Sequence, residues 1–152
     1  IGLPGETREL VMDTVEICRR IRGYDSLGVS IFTPYSGAEL RKLCLENGWM
    51  DNQILSGHIA SKSVLKMPPP CLSSDEISAL AVTFPLYCYY PKSEWDQIKR
   101  SEIADETGLT IREQFKEDYR KNFLGETQNS PGEKVVGGTG CRANPKDAFV
   151  KN

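Results

Sequence analysis

Two short loops carry the residue types best suited to hold a ligand. The first is Gly2-Leu3-Pro4-Gly5-Glu6-Thr7, immediately ahead of a predicted helix. Free backbone amides and the helix dipole make such a position favourable for polar or anionic ligand atoms. Its two glycines let a ligand come close to the backbone. A plain structural turn accounts for the same residues. No Gly-Lys-Ser/Thr follows, so the loop is not a P-loop. The second loop is Thr33-Pro34-Tyr35-Ser36-Gly37-Ala38-Glu39-Leu40, after a predicted strand. In parallel barrels, ligand sites gather at the C-terminal ends of strands. Two such loops from consecutive units would open on one face, and their convergence carries the signal. Glu6 has two readings: a ligand contact, or a helix N-terminal charge favoured by the dipole.

Few other residues are arranged for chemistry. Cys18, Cys44, Cys71, Cys88 and Cys141 are scattered, with no pair in a metal-binding spacing. Their odd number and wide spread fit reduced cytosolic thiols better than a disulfide framework. Cys18 and Cys44 fall at apolar helix positions and read as small buried hydrophobes. Cys71 and Cys88 read first as packing residues and second as contacts to a substrate cavity. His58 is the only histidine and sits in a loop, where a surface or locally hydrogen-bonded role is the plain expectation. Tyr87, Tyr89, Tyr90 and Trp95 form an aromatic platform, read first as hydrophobic contact and second as a substrate wall. Glu94 and Asp96 serve a helix start.

The elements that would position these loops follow from periodicity. Thr7 can cap a helix reaching Arg22, with Leu10, Val11, Thr14, Val15, Cys18 and Ile21 along one stripe. Gly23 stops it. Leu27 to Phe32 is β-branched and bounded by turn formers, so it predicts a strand, ended by Pro34. Ser36 and Glu39 predict a capping box for a helix with Leu40, Leu43 and Cys44 on one face, ending at Asn47-Gly48. Trp49 and Met50 then anchor the chain. Residues 53–72 read as a crossing connection that ends in Pro68-Pro69-Pro70.

Ser73 and Glu76 predict a second capping box. The helix that follows carries Ile77, Leu80, Ala81 and Phe84, and Pro85 should kink or break it. Ser93 predicts a helix that places Trp95, Ile98 and Ile103 inward and ends at Gly108. Thr110 and Glu113 predict a further box for a helix bearing Ile111, Phe115, Tyr119 and Phe123. The stretch from Gly125 onward is rich in Gly, Pro, Asn and Lys and reads as a disordered tail.

Loop, helix, strand, loop, helix is the repeating unit of a parallel α/β sheet or barrel. One strand cannot satisfy its own backbone groups, so it predicts neighbours from outside this segment. At 152 residues the length suits one ordinary domain. A net charge of -2 with both signs interspersed, and no basic stripe, argues against nucleic acid as partner. No apolar run approaches the roughly 20 residues needed to span a bilayer. No secretory signal opens the chain, and the expected compartment is cytoplasmic.

With both loops in view, the chain resembles a radical S-adenosylmethionine enzyme. Ile1 to Thr7, the helix with Asp13, Thr14 and Glu16, and Phe32 to Leu40 look like the last two βα units of that family's barrel. The family's usual second loop is Thr-Pro-Tyr-Pro-Gly-Thr-x-Leu; here Ser36 and Ala38 depart from it. Asn47-Gly48-Trp49 resembles the segment after the final barrel helix. Phe84-Pro85-Leu86-Tyr87 and Tyr90 to Trp95 resemble the C-terminal extension of the cobalamin-binding branch. The resemblance runs from Ile1 to Glu102.

It implies an α/β fold: the C-terminal fragment of a partial (β/α) barrel of TIM type at 1–52, a connection at 53–72, a helical extension at 73–124 and the tail at 125–152. It implies an enzyme that cleaves S-adenosylmethionine to a 5′-deoxyadenosyl radical, for methyl transfer, rearrangement or cyclisation. Gly2, Pro4 and Gly5 would line the adenosine end of the cofactor, Phe32, Thr33 and Pro34 would bond or pack on the adenine, and Tyr35 would face the cavity. The four-iron cluster and cobalamin would be bound outside this chain, by an N-terminal barrel half and a cobalamin domain, because the C-x-x-x-C-x-x-C and Asp-x-His-x-x-Gly motifs do not occur here. The substrate, a small or lipid-like molecule, is not specified, and no catalytic residue is assigned. Two alternatives stand beside this reading. One is a radical enzyme without cobalamin, similar to methylthiotransferases or coproporphyrinogen oxidases. The other is a non-catalytic helical interaction module.

Overall fold

A computed structural model of the chain describes residues 1–24, 27–54 and 62–124, with only the backbone described at 123 and 124. Five α-helices follow in order: α1 Arg8–Arg20, α2 Glu39–Glu46, α3 Ser74–Tyr89, α4 Trp95–Arg100 and α5 Glu106–Tyr119. A short 3-10 turn, Lys92–Glu94, leads into α4, and a π-helical turn, Arg120–Leu124, continues α5.

The sequence expectation of an α/β barrel fragment is overturned. Among the described residues there is no strand and no sheet, and the architecture is helical. The predicted strand over 27–32 does run extended, with Leu27, Val29 and Ile31 half-buried and Gly28 and Ser30 exposed. Its described ladder is a single step, however. The Ile1 amino group donates to the Ser30 carbonyl at 2.8 Å, and the Phe32 amide donates to the Ile1 carbonyl at 2.8 Å. Two bonds to one residue hold the segment in place without making a strand, because a strand needs a ladder along its length.

The centre of the fold is α3. It is apolar around most of its circumference, as expected of a helix buried on several sides. Ile77, Leu80, Phe84, Leu86, Tyr87 and Cys88 are all buried. α1 lies against it through Val11 and Val15, one turn apart and fully buried. α4 and α5 cover it from the other side, with Ile98 fully buried. Met50, Leu65, Met67 and Leu72 join the same cluster, so one core draws on 1–52, 53–72 and 73–124 alike. His58, Cys141 and the tail from Gly125 lie outside the described residues.

Several helix boundaries follow the local rules. Ser73 and Glu76 form the reciprocal capping box at the start of α3. α2 ends on a Schellman turn: the Gly48 amide reaches Leu45, the Trp49 amide reaches Cys44, and Gly48 takes φ +67°. Others depart from them. α2 begins at Glu39 with Ala38 in the capping position, so the Ser36–Glu39 box does not form. α5 begins four residues before Thr110, capped by the Asp105 carboxylate on the Gly108 amide at 2.7 Å. Gly108 is therefore inside a helix and not its end. α3 runs through Pro85 without breaking. The loss of one backbone bond is offset there by burial on both sides.

The helix faces also differ from the sequence expectation. Cys44 is buried in α2, but Leu40 and Leu43 are exposed, and Arg41 is buried in their place. Leu10 and Ile21 of α1 face outward, and so does Ile103. Hydrophobic spacing identifies an apolar stripe, but it cannot say which part of a broad stripe meets the core.

Two substitutions test this arrangement. Gly to Ala inside a helix ordinarily stabilises by about 1 kcal/mol. At Gly108 the added Cβ would lie 2.1 Å from the Ile103 carbonyl oxygen, so Gly108→Ala is expected to destabilise instead. Leu80→Ala should cost about 2–5 kcal/mol, since Leu80 is fully buried in the central helix. Urea denaturation reads both; a stabilised Gly108→Ala variant would contradict the close α4–α5 approach.

Candidate functional site

The first loop is folded by its own carboxylate. Glu6 accepts from the backbone amide of Gly2, and from that of Leu3 at 3.3 Å. The Glu6 amide returns to the Leu3 carbonyl at 3.0 Å, closing a turn. This settles Glu6 as the residue that shapes the loop. Gly2 and Gly5 both take positive φ, +83° and +80°. At Gly2 an added Cβ would also press on the Ile77 side chain of α3, at 3.1 Å, so the positive φ and the close approach both favour glycine. Gly5 has open space around it. The loop's exit is tied down by the Leu72 amide on the Glu6 carbonyl and by an antiparallel bridge from Thr7 to Cys71.

The second loop is held by a buried arginine. Arg41 reaches the Pro34 carbonyl at 3.0 Å, and those of Asn52 and Ile54 at 3.2 and 3.0 Å. It is 6% exposed and carries three backbone acceptors. Charged donors make the stronger kind of hydrogen bond, which suits a loop that must keep one shape. Pro34 is buried, while Tyr35 is 46% exposed. The Tyr35 amide bonds the Thr33 carbonyl at 3.0 Å, and the Thr33 hydroxyl donates to the Ile31 carbonyl at 3.4 Å.

The bonds from Ile1 to Ser30 and Phe32 set the two loops side by side. Of the seven predicted cofactor contacts, Gly5 and Tyr35 are exposed, and Pro4, Phe32 and Thr33 are half-buried. Gly2 and Pro34 are buried. Pro4, Gly5, Thr33 and Tyr35 are thus reached from solvent, whereas Gly2 and Pro34 shape the loops from within. Among the described residues, no group of three His, Cys, Asp or Glu is placed to hold a metal ion. A four-iron cluster does not fit the residues described here.

Sequence reading missed a second polar centre. Arg8 pairs with Glu102 through both guanidinium nitrogens, at 2.7 and 2.8 Å. The Tyr87 hydroxyl donates to Glu102 Oε1 at 2.6 Å and accepts from Arg8 at 3.0 Å. Burial, and then the hydrogen bond to Glu102, push the Tyr87 hydroxyl far above the ordinary tyrosine range. The hydrogen bond to Glu102 raises the Arg8 guanidinium further. A faint sequence signal existed: a cation in the first turn of a helix opposes the dipole, so Arg8 needed another reason to be there.

The aromatic platform is internal contact. Tyr87 meets Trp95 edge to face at 5.4 Å, and Tyr90 meets Phe115 at 4.8 Å. Arg19 sits over the Trp95 ring at 5.7 Å and donates to the carbonyls of Tyr87, Cys88 and Tyr90, closing the end of α3. Cys88 is buried and Cys71 half-buried, as packing residues.

No protein-family model, curated protein or solved structure matches the chain. No helix among the described residues is long and apolar enough to cross a membrane.

The tyrosines predict an alkaline limit to stability. An unfolded tyrosine titrates near pH 10 or about there. In the folded chain Tyr87 keeps its proton well beyond that, and burial pushes Tyr119 up to about 12. A folded value raised above the unfolded one gives stability that is complete below about pH 10 and is lost as pH rises further. The urea midpoint should fall through that range, and less steeply in Tyr87→Phe. An unchanged slope in the variant would remove Tyr87 as a contributor.

Proposed function

We propose that this chain forms part of a radical S-adenosylmethionine enzyme, in which its two loops border the adenosine end of the cofactor. The supporting observation is the adjacency of their entries: Ile1, just ahead of the loop at Gly2–Thr7, shares two backbone hydrogen bonds with Ser30 and Phe32, just ahead of the loop at Thr33–Leu40, and the two loops together carry the family resemblance. In this reading Pro4 and Gly5 give close backbone approach, Thr33 and Tyr35 meet the base or ribose, and Glu6 and Arg41 keep each loop in shape. Bound to its cluster, the cofactor would supply a 5′-deoxyadenosyl radical. The cluster, and cobalamin where it is used, would be held by residues other than those described here. The chain's own part is to orient the nucleoside and exclude water from it.

A non-catalytic interaction module is the second reading. It is favoured by the outward apolar side chains Leu10, Ile17 and Ile21 along α1, each more than half exposed.

Anaerobic purification of the native protein from its own cells decides between them. The first reading expects about four iron atoms per protein, reductive release of 5′-deoxyadenosine, and cobalamin if the cobalamin-dependent branch applies. Tyr35→Ala should lower 5′-deoxyadenosine formation roughly tenfold through lost positioning, with the iron content kept. Absence of both iron and 5′-deoxyadenosine would overturn it and leave the interaction module.

A further inference from the structure

A cleft of about 770 Å³ lies between the exposed face of α3, the start of α1 and the turn joining α4 to α5. None of its lining residues belongs to either loop, so its role is independent of the function proposed above. Its size is that of an ordinary small-molecule pocket.

The chemistry of its wall is divided. Val82 and Ala79 of α3 line it together with Ile103 and Ala104 of the turn. Val82 and Ile103 are both large apolar side chains left open to solvent, at 36% and 54% exposure. Exposed apolar groups lining a concavity mark a place where an apolar ligand surface is sheltered from water.

The charges are divided as well. Four cations and three carboxylates line the cleft. Arg8 is consumed by Glu102, both nitrogens engaged at 2.7 and 2.8 Å. Lys62 lies 3.8 Å from Asp75. Glu76 is occupied by the capping box at Ser73, and its bonds there hold its carboxyl below the ordinary range. Two cations remain, both from the α4–α5 side. Lys99 is exposed and, among the described residues, has no carboxylate within ion-pair distance. Arg112 sends Nε and Nη2 to the Ser101 carbonyl, at 2.9 and 2.6 Å. That bond fixes the plane of its guanidinium, and no described carboxylate pairs with it either.

We infer that this cleft binds a small organic anion with an apolar arm, its carboxylate-type head against Lys99 and Arg112 and its arm between Val82 and Ile103. The acidic side chains at the other end, Asp75 and Glu76, orient the ligand by repelling the head from the start of α3. The half-buried Arg8–Glu102 pair also lines the cleft and carries no net charge, so it leaves the choice of sign to Lys99 and Arg112.

Octanoate is the probe, with octan-1-ol as its uncharged counterpart. Amide chemical shifts of the native protein should move saturably with octanoate, centred on Val82, Lys99 and Ile103, and octan-1-ol should bind at least about tenfold more weakly. Lys99→Glu reverses an exposed charge and should weaken octanoate by a similar factor. Val82→Asp places a charge on the apolar wall and should do the same by a different route, which keeps the test standing if one variant fails to fold. Equal affinity for octanoate and octan-1-ol, unchanged octanoate affinity in a folded variant, or the lack of any saturable shift at those residues would each overturn the assignment.

Discussion

The bidentate pairing of Arg8 with Glu102 joins the start of α1 to the turn after α4, 94 positions apart in sequence. It sits directly over α3, whose Tyr87 hydroxyl completes the set. A half-buried ion pair contributes little when it merely replaces solvation, but removing one partner strands the other charge and is costly. The arrangement of α1, α3 and the α4–α5 turn therefore depends on all three groups being present together. It also fixes one wall of the cleft between α3 and α4–α5, because Arg8 and Glu102 are both spent on each other there. Arg19 repeats the device at the last turn of α3, where one guanidinium nitrogen serves the carbonyls of Tyr87, Cys88 and Tyr90. An arginine near each end of α1 thus fastens that helix to the C-terminal part of α3, and between the two arginines Val11 and Val15 of α1 are fully buried.

The two loops are shaped by the same economy. Each is held by one charged side chain acting on backbone groups: Glu6 on amides in the first, Arg41 on carbonyls in the second. Charged partners make strong, directional bonds to the peptide group, so a single residue can hold a turn that has no sheet or helix of its own. Glu6 could be read from sequence only as a helix-start charge or a ligand. Its true partners are the amides of the residues it follows, which spacing along the chain does not reveal. Arg41 was invisible for a different reason. Its neighbours Leu40 and Leu43 are the apolar residues, and sequence logic assigns burial to them. Three carbonyls converge on one point, and an arginine satisfies them where a leucine cannot.

Local rules and packing disagree at two positions, and packing decides both. Pro85 should interrupt a helix, yet α3 continues to Tyr89 because its sides are covered by α1, α4 and α5. Gly108 should end a helix, yet it lies in the first turn of α5, where the absence of a side chain lets the backbone approach the Ile103 carbonyl. In each case a weak preference of roughly 1–3 kcal/mol is set against the burial of several apolar side chains. The predicted strand at 27–32 fails for the complementary reason. Alternation is present over 27–31, with Leu27, Val29 and Ile31 half-buried and Gly28 and Ser30 exposed, but alternation describes only one face. A strand is defined by its neighbours, and the described chain offers it the single residue Ile1.

By itself the sequence determined what depends on short range. The capping box at Ser73, the glycine stop at Gly48, the apolar periodicity of α1 and α3, and the positive-φ glycines of the first loop are all settled within a few residues of chain. Tertiary structure alone decided which part of each apolar stripe faces inward, that α1 rests on α3, that Arg8 meets Glu102, and that the architecture of the described residues is helical. Those outcomes rest on groups distant in sequence meeting in space, where the burial of charge and of apolar surface is counted over all partners at once. The first loop shows the division in one place. Its glycines announce a turn, while the close packing of Gly2 is against Ile77, on a helix that begins more than seventy residues later.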